Sequence, residues 1–411
     1  MARILGQDLR HNPDPVAAGR ADTLHDVLFR TWESDAAALG APVGVQHDHR
    51  GRPHVLVAAH DLVKAVLADP VTFAPDNALD AVTPIPVAAL RVLAAHGFRL
   101  PPTLANNGTP SHPAIREITA RALHPTRVEQ QRPWLTGTVR RRVTGLAARL
   151  RAGETVDLYA ELTSDLPLLV LARLVDLPDD DVRVVKEFSR AALELFWAPV
   201  ERDRQLALAS TVGDYHEVLR KHSAHAGGMS AELRELGDPD LVVGALFFLL
   251  VAGQETTSQF LTLLLHRLHR EPAVLAGLAN GTVGVDDVVE EGLRLVPPIT
   301  TWRRVATRDT SLGGVAVPRG ASVVLWLAGA GRDPAVTAHP DEFVPGQRGS
   351  RRHLAFGAGA HRCVGAQLSR MEAAVVVAEA TPLLHDTHVV RAPWCPDNLS
   401  FRMPDAFEVA R

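Results

Sequence analysis

Phe356-Gly357-Ala358-Gly359-Ala360-His361-Arg362-Cys363-Val364-Gly365 is the stretch on which the reading of this chain turns. Three glycines within nine residues demand a backbone that turns tightly or approaches something closely. After Gly365 the apolar spacing predicts an amphipathic helix from Ala366 to about Ala380. Cys363 then lies just ahead of a helix N-terminus, where free N–H groups and the helix dipole favour a thiolate. A thiolate held this way is a metal ligand or a nucleophile. A lone cysteine beside a glycine loop also reads as a plain structural thiol.

The chain around this loop has 411 residues, 46% apolar and 22% charged, with a formal net charge of −4. That is the composition of a globular protein with a large core. Length alone suggests two or three domains, but no Ser/Gly linker, repeat or low-complexity tract marks a boundary, and one domain over 1–411 is expected. The acidic balance argues against a protein built to neutralise nucleic-acid phosphates. Of 43 basic residues only Lys64, Lys186 and Lys221 are lysines. Two cysteines, Cys363 and Cys395, make no disulfide framework, so a reducing compartment is expected. Residues 1–30 are punctuated by charges and do not read as a signal peptide. The longest apolar run, Leu241 to Gly253, falls short of the ~20 residues of a membrane span. The expected location is the cytoplasm, without an anchor.

Residues 42–58 alternate about a turn at Asp48-His49-Arg50-Gly51, which predicts a β-hairpin, followed by a helix over about Asp61–Leu67. Pro70–Pro102 reads as loop. Helical patterns follow from Pro113 to about Leu150 and near 158–175, 179–197 and 203–222. Asp238-Pro239 is a good helix start, and periodic apolar residues run on to about Arg270, predicting one buried helix ~45–50 Å long. At its centre stands Ala252-Gly253-Gln254-Glu255-Thr256-Thr257. A glycine, an acid and two β-branched alcohols are poor choices for a buried helix centre. Local rules fail in this way at functional sites, although a threonine hydroxyl bonded back to its own helix is also common.

The loop pattern F-G-x-G-x-H-x-C-x-G resembles the haem-binding loop of the cytochrome P450 family. Glu291-Gly292-Leu293-Arg294 matches that family's E-x-x-R, with both charges on one helix face, and the anomaly at 252–257 matches A-G-x-[DE]-T-T. The resemblance extends over essentially the whole chain. It implies a mainly α fold with small β-sheets, in which haem b (iron protoporphyrin IX) lies between the long central helix and the Cys-loop helix.

It also implies roles. Cys363 would be the axial iron ligand, and Phe356 and Gly357 would shape its loop. Ala252 and Gly253 would let the helix lie against haem, Thr256 would orient dioxygen, and Glu255 would serve a proton relay. The anionic propionates need cations or donors; His112, Arg116, Arg304, His353 and His361 match the family's positions. The middle arginine of its H-x-R-x-R helix is replaced by Ala114. Glu291 and Arg294 would form a buried structural pair. Their third partner, an arginine in the family, falls at Phe343-Val344-Pro345-Gly346-Gln347-Arg348, so either Gln347 or the displaced Arg348 completes the network. Candidate pocket residues are Trp197, Phe247, Phe248, Thr300 and Trp302. Strand alternation would turn Thr300, Trp302 and Arg304 one way and Arg303 the other.

The implied activity is reductive monooxygenation of a small organic substrate, a secondary metabolite or modified amino acid, free or tethered to a carrier protein. Because no flavin or iron–sulfur segment is visible, electrons would come from NAD(P)H through a ferredoxin reductase and a ferredoxin. That ferredoxin would dock on arginines near the ligand: Arg362, Arg351, Arg352 and Arg370. Other chemistry on the same fold, such as oxidative coupling, desaturation or nitration, stays open. A non-catalytic haem-fold module is disfavoured by Cys363 and Thr256 together. A zinc hydrolase is disfavoured because neither H-E-x-x-H nor C-x-x-C occurs.

Overall fold

The computed structural model describes residues 43–47, 53–178 and 182–411. The expected hairpin turn at Asp48–Gly51 and the N-terminal residues read for a signal peptide lie outside the described residues.

The hairpin strands are present. β1 (Val43–His47) pairs antiparallel with β2 (Pro53–Val57), setting Val43 opposite Val57. The sheet they open has the order β1-β2-β8-β5-β3 and includes β3 (Phe73–Ala74), β5 (Thr301–Ala306) and β8 (Ser322–Trp326). β2 and β8 run parallel, while β5 pairs antiparallel with both its neighbours. Smaller sheets join β4 (Val156–Asp157), β10 (Glu408–Ala410) and β9 (His388–Arg391), and β6 (Thr310–Leu312) with β7 (Val315–Val317).

The remaining framework is helical. α1 (His60–Ala68), α2 (Val87–Ala95), α3 (His112–Ala122), α4 (Pro125–Glu129), α5 (Arg132–Arg151) and α6 (Leu166–Leu174) are followed by α7 (Val182–Trp197), α8 (Arg202–Ser223) and α9 (Gly228–Arg234). Then come α10 (Pro239–Ala252), α11 (Glu255–His269), α12 (Pro272–Asn280), α13 (Val285–Leu295), α14 (Leu327–Ala330) and α15 (Ala366–His385).

Several boundaries differ from expectation for local reasons. α2 lies inside the stretch read as loop; it buries Ala89 and Leu93 and exposes Val87 and Leu90, so its flanking prolines hid a helix with one narrow apolar face. The helical run from 113 breaks where prolines enter the first turns of α4 and α5. α15 runs past Ala380 to His385 and carries Pro382 within it. The long central helix is not continuous: it is interrupted at Gly253 and Gln254 between α10 and α11. By length and composition Pro239–His269 matches a membrane span, yet it is mostly buried among the other helices.

α11 is the axis of the core, with Phe260, Leu261, Leu264, Leu265 and Leu268 sealed from solvent. α13 packs on it through Gly292, where a Cβ would stand 2.6 Å from the Leu264 side chain. That close approach buries Glu291 and Arg294 at the α13 C-terminus. The Arg294 guanidinium meets both Glu291 carboxylate oxygens at 2.7 and 2.9 Å and donates to the carbonyls of Gly331, His339, Pro340 and Glu342. Gln347 is the third partner: its Nε2 donates to Glu291 Oε1 at 2.6 Å and its Oε1 accepts from the His339 amide and the Thr337 hydroxyl. Arg348 is exposed.

Glu291→Ala should therefore strand a buried guanidinium and cost about 3–5 kcal/mol. Gln347→Ala should cost about 1–3 kcal/mol by orphaning buried groups. Arg348→Ala should stay within about 0.5 kcal/mol of the parent. Denaturant midpoints at constant m-value are the measurement; an Arg348→Ala loss equal to that of Gln347→Ala would overturn the assignment.

Candidate active site

The interruption between α10 and α11 needs substitute donors, because its carbonyls lie in the core. Two side chains of the segment itself provide them, with Ser189 of α7 adding a third donor, to Leu250 O, at 3.1 Å. The Thr256 hydroxyl donates to Ala252 O at 2.7 Å, and Gln254 Nε2 donates to Leu250 O at 2.8 Å. Ala252, Gly253, Thr256 and Thr257 consequently face a cavity, while Gln254 and Glu255 turn into the protein behind it. The cavity encloses about 1320 Å³ counting its open mouth. Its opposite wall is the loop from Ala355 to Gly365 and the first turn of α15, with Leu368 and Ser369.

Close approaches shape that loop. Gly359 has φ +67°, and a Cβ there would meet Leu67 O at 2.6 Å, so only glycine fits beneath α1. The Cys363 amide closes the loop on Phe356 O at 2.9 Å, and the Phe356 ring lies under the Arg370 guanidinium at 4.6 Å. Cys363 is accessible through the cavity and enclosed by protein elsewhere. Burial pushes its thiol above the ordinary cysteine value, against the opposing pull of the Gly365 amide, Arg116, Arg362 and Arg370. Coordination by a metal ion overcomes such a shift, since a coordinating thiol is deprotonated outright.

One end of the cavity is cationic. Arg116 lines it and donates to Arg362 O at 2.7 Å; Arg304 lines it from β5, and His361 from the Cys loop. The His112 ring stands 4.1 Å from that of His361, whose Nδ1 donates to Leu104 O. Arg304 is buried and, among the described residues, meets no carboxylate; desolvation takes its pKa down to about 10, and its Nε has no hydrogen-bond partner there. His112 Nε2 is likewise buried without a partner. Buried cations and donors of this kind require an anionic ligand. A planar dianionic macrocycle whose metal meets a cysteine fits this donor set: thiol on one wall, carboxylate partners at one end, side-chain-poor helix on the other wall.

Six expected residues do not line the cavity: His112, which packs against the His361 ring, Glu255, His353, Phe247, Thr300 and Trp197. His353 does not line the cavity; its Nδ1 accepts from the Ala355 amide and its Nε2 donates to Glu290, which also binds Arg370, so it ties α13 to the Cys loop. Phe247 is turned into the core against Phe98 and Phe188, while its neighbour Phe248 lines the cavity. Thr300 precedes β5 and bonds Ser400, so strand alternation does not reach it and Ile299 lines the cavity instead. Trp197 lies behind Trp302, ring centroids 6.5 Å apart. Trp302 and Arg304 do share the cavity side of β5, and Arg303 points away to the carbonyls of Ala78 and Asp80.

Glu255 is sealed from solvent and from the cavity lining, with its Oε1 2.5 Å from Lys186 Nζ. Lys186 also reaches Gln254 Oε1 at 3.0 Å, and burial lowers its pKa. Sequence reasoning missed Lys186; the available signal was one of only three lysines standing between the apolar residues Val185 and Phe188 of α7. Removing it by Lys186→Met should leave the Glu255 carboxylate buried and unpaired and cost about 3–5 kcal/mol. The combined Lys186→Met, Glu255→Gln protein should recover most of that loss in denaturant melts.

Comparison with known proteins agrees with this geometry. Residues 285–380 match the family model for cytochrome P450. The chain is 30% identical over 402 residues to the 20-oxo-5-O-mycaminosyltylactone 23-monooxygenase of Streptomyces fradiae, covering 93% of this chain and 91% of the relative. It is 27% identical to the erythromycin C-12 hydroxylase of Saccharopolyspora erythraea, covering 82% of each. Among solved structures, cytochrome P450 CREJ in complex with (4-ethylphenyl) dihydrogen phosphate superposes with a TM-score of 0.85 at 27% identity, covering 94% of this chain and 98% of that one. The chain belongs to the cytochrome P450 family and is a monooxygenase of that class.

Proposed function

We propose that this enzyme hydroxylates a small, largely apolar secondary metabolite in the cytoplasm, using two electrons delivered by a ferredoxin and ultimately by NAD(P)H. The observation that carries the reading is the opposition, across one cavity, of Cys363 and the interrupted helix at Ala252–Thr257. Substrate, O2, two electrons and two protons give hydroxylated product and water. Haem with a thiolate ligand, when bound, supplies the O–O cleavage.

The chain's own groups do the rest. Cys363 Sγ is the iron ligand, and Arg116, Arg304, His112 and His361 take the propionates. Ala252 and Gly253 keep side chains off the helix wall where oxygen must fit. Thr256 donates its proton to Ala252 O, which leaves the hydroxyl lone pairs toward the cavity to orient a water or an oxygen species. Glu255, the residue before Thr256, is paired through Oε1 with Lys186 Nζ at 2.5 Å behind the cavity wall, where it would serve the proton relay. The mainly apolar lining limits the water that surrounds the Thr256 hydroxyl.

On the surface, Arg351 is paired with Asp287 and Arg370 with Glu290, which reduces the arginines proposed for donor docking to Arg352 and Arg362. The names of the two relatives, a 20-oxo-5-O-mycaminosyltylactone 23-monooxygenase and an erythromycin C-12 hydroxylase, support hydroxylation of a secondary metabolite.

The reduced protein with carbon monoxide should show the red-shifted thiolate Soret band, and Cys363→Ser should abolish it; a correctly folded wild type lacking the band would overturn the reading. Thr256→Ala should keep the band, divert electrons to peroxide and lower product formation by on the order of 10²-fold. Unchanged coupling of NAD(P)H to product would remove Thr256 from its role.

A further inference from the structure

We infer that Trp302 selects an uncharged substrate bearing a hydrogen-bond acceptor, which its indole N–H binds within an otherwise apolar compartment. The inference rests on the monooxygenase reading. The ionisable side chains that line the cavity are Arg116, Arg304, Arg362 and His361, three of which are proposed to take the propionates, and Leu104, Leu171, Phe248, Leu249, Ile299 and Trp302 belong to its uncharged lining. No ionisable side chain belongs to that second set. A carboxylate, phosphate or ammonium placed there would lose its hydration with nothing in exchange.

Trp302 is the exception to this uniform lining. Its ring faces the cavity, and among the described residues no acceptor is hydrogen-bonded to its indole N–H. The ring is held in place from behind: Trp197 stacks on it at 6.5 Å and 24°, Phe401 meets it edge-on at 6.3 Å and 81°, and β5 fixes its backbone opposite Leu325. The donor is therefore pre-oriented and loses little freedom on binding. An apolar ligand that displaces water from this N–H leaves it orphaned, whereas a ligand carbonyl or ether oxygen satisfies it. The same group thus attracts an acceptor and disfavours its plain hydrocarbon counterpart. Zwitterionic amino acids are rejected by the neighbouring surface, so the amino-acid option narrows to neutral derivatives.

The test uses ferric holoenzyme and three similar-sized probes, ethylbenzene, acetophenone and benzoate, with dissociation constants taken from the Soret shift. Trp302→Phe keeps an aromatic ring and removes the N–H. It should weaken acetophenone by about threefold to tenfold, the worth of one neutral hydrogen bond, and change ethylbenzene by less than about twofold. Equal effects on the two neutral probes, or no shift with either, overturn the inference. In the wild type alone, benzoate should leave the Soret band unmoved at concentrations where acetophenone shifts it. A benzoate shift as strong as acetophenone's overturns the neutral-substrate class whether or not the variant folds. The carbon monoxide band of the same preparations separates the two levels: its absence defeats the monooxygenase reading, and its presence with a failed probe pattern defeats only the role of Trp302.

Discussion

A guanidinium sealed inside a protein must be surrounded by acceptors, and in this chain that requirement organises the segment leading to the Cys loop. Arg294 is 1% exposed and bonds one carboxylate and four backbone carbonyls drawn from residues 331–342. The irregular chain after α14 is wound around a single charge. Gln347 and the Val344 amide add donors to the Glu291 carboxylate, which pins the next stretch before the loop begins. Because α13 is locked to α11 through Gly292, the charge also fixes the Cys loop relative to the helix it faces. Replacing the family's arginine with Gln347 keeps the geometry but makes the cluster a neutral ion pair plus an amide. That lowers the number of charges to be desolvated.

The second constraint is the backbone arithmetic of the interrupted helix. A break in a buried helix frees carbonyls that no water reaches, and each needs a donor. Thr256 and Gln254 serve Ala252 and Leu250 from within the same segment, and Ser189 of α7 adds a second donor to Leu250 O at 3.1 Å. This explains why hydroxyl and amide residues occupy a stretch that local propensity would fill with leucine. The same break divides the segment into a cavity face of small residues and a rear face of charge, where Lys186 and Glu255 compensate one another.

Legibility in the sequence followed the range of the interactions. The Cys loop was readable because its constraints are local: positive φ, a tight turn and a following helix. The central helix was readable as an element but not as two, since its break depends on where carbonyls find donors in three dimensions. His353 was misassigned because position three before Phe356 places it beside the loop without saying which way the ring turns. Glu290, remote in sequence, decides that. Thr300 failed for a related reason: alternation holds only within a strand, and β5 begins one residue later. Lys186 was the hardest, because its partner lies on another element and only its place among apolar residues of α7 marks it, whereas Gln347 was one of two candidates and the contact with Glu291 selects it over Arg348.

The charge segregation of the cavity then has a consequence for how one space serves two ligands. Among the described residues the buried Arg304 guanidinium meets no carboxylate and the His112 Nε2 has no partner, so the polypeptide leaves a charge and a polar atom uncompensated at that end. A dianionic cofactor that supplies the missing charge binds the folded chain and not the unfolded one, and so adds its binding free energy to stability. Once those cations are engaged by the cofactor, they are no longer available to recognise a charged substrate. Selection must come from what remains, which is an apolar wall, the size limit set by Trp302 and Phe248, and one oriented N–H. The positive end of the cavity and the neutral character of its other end are therefore two aspects of one arrangement: charge is used to hold the cofactor in register, and shape with a single donor is left to choose the substrate.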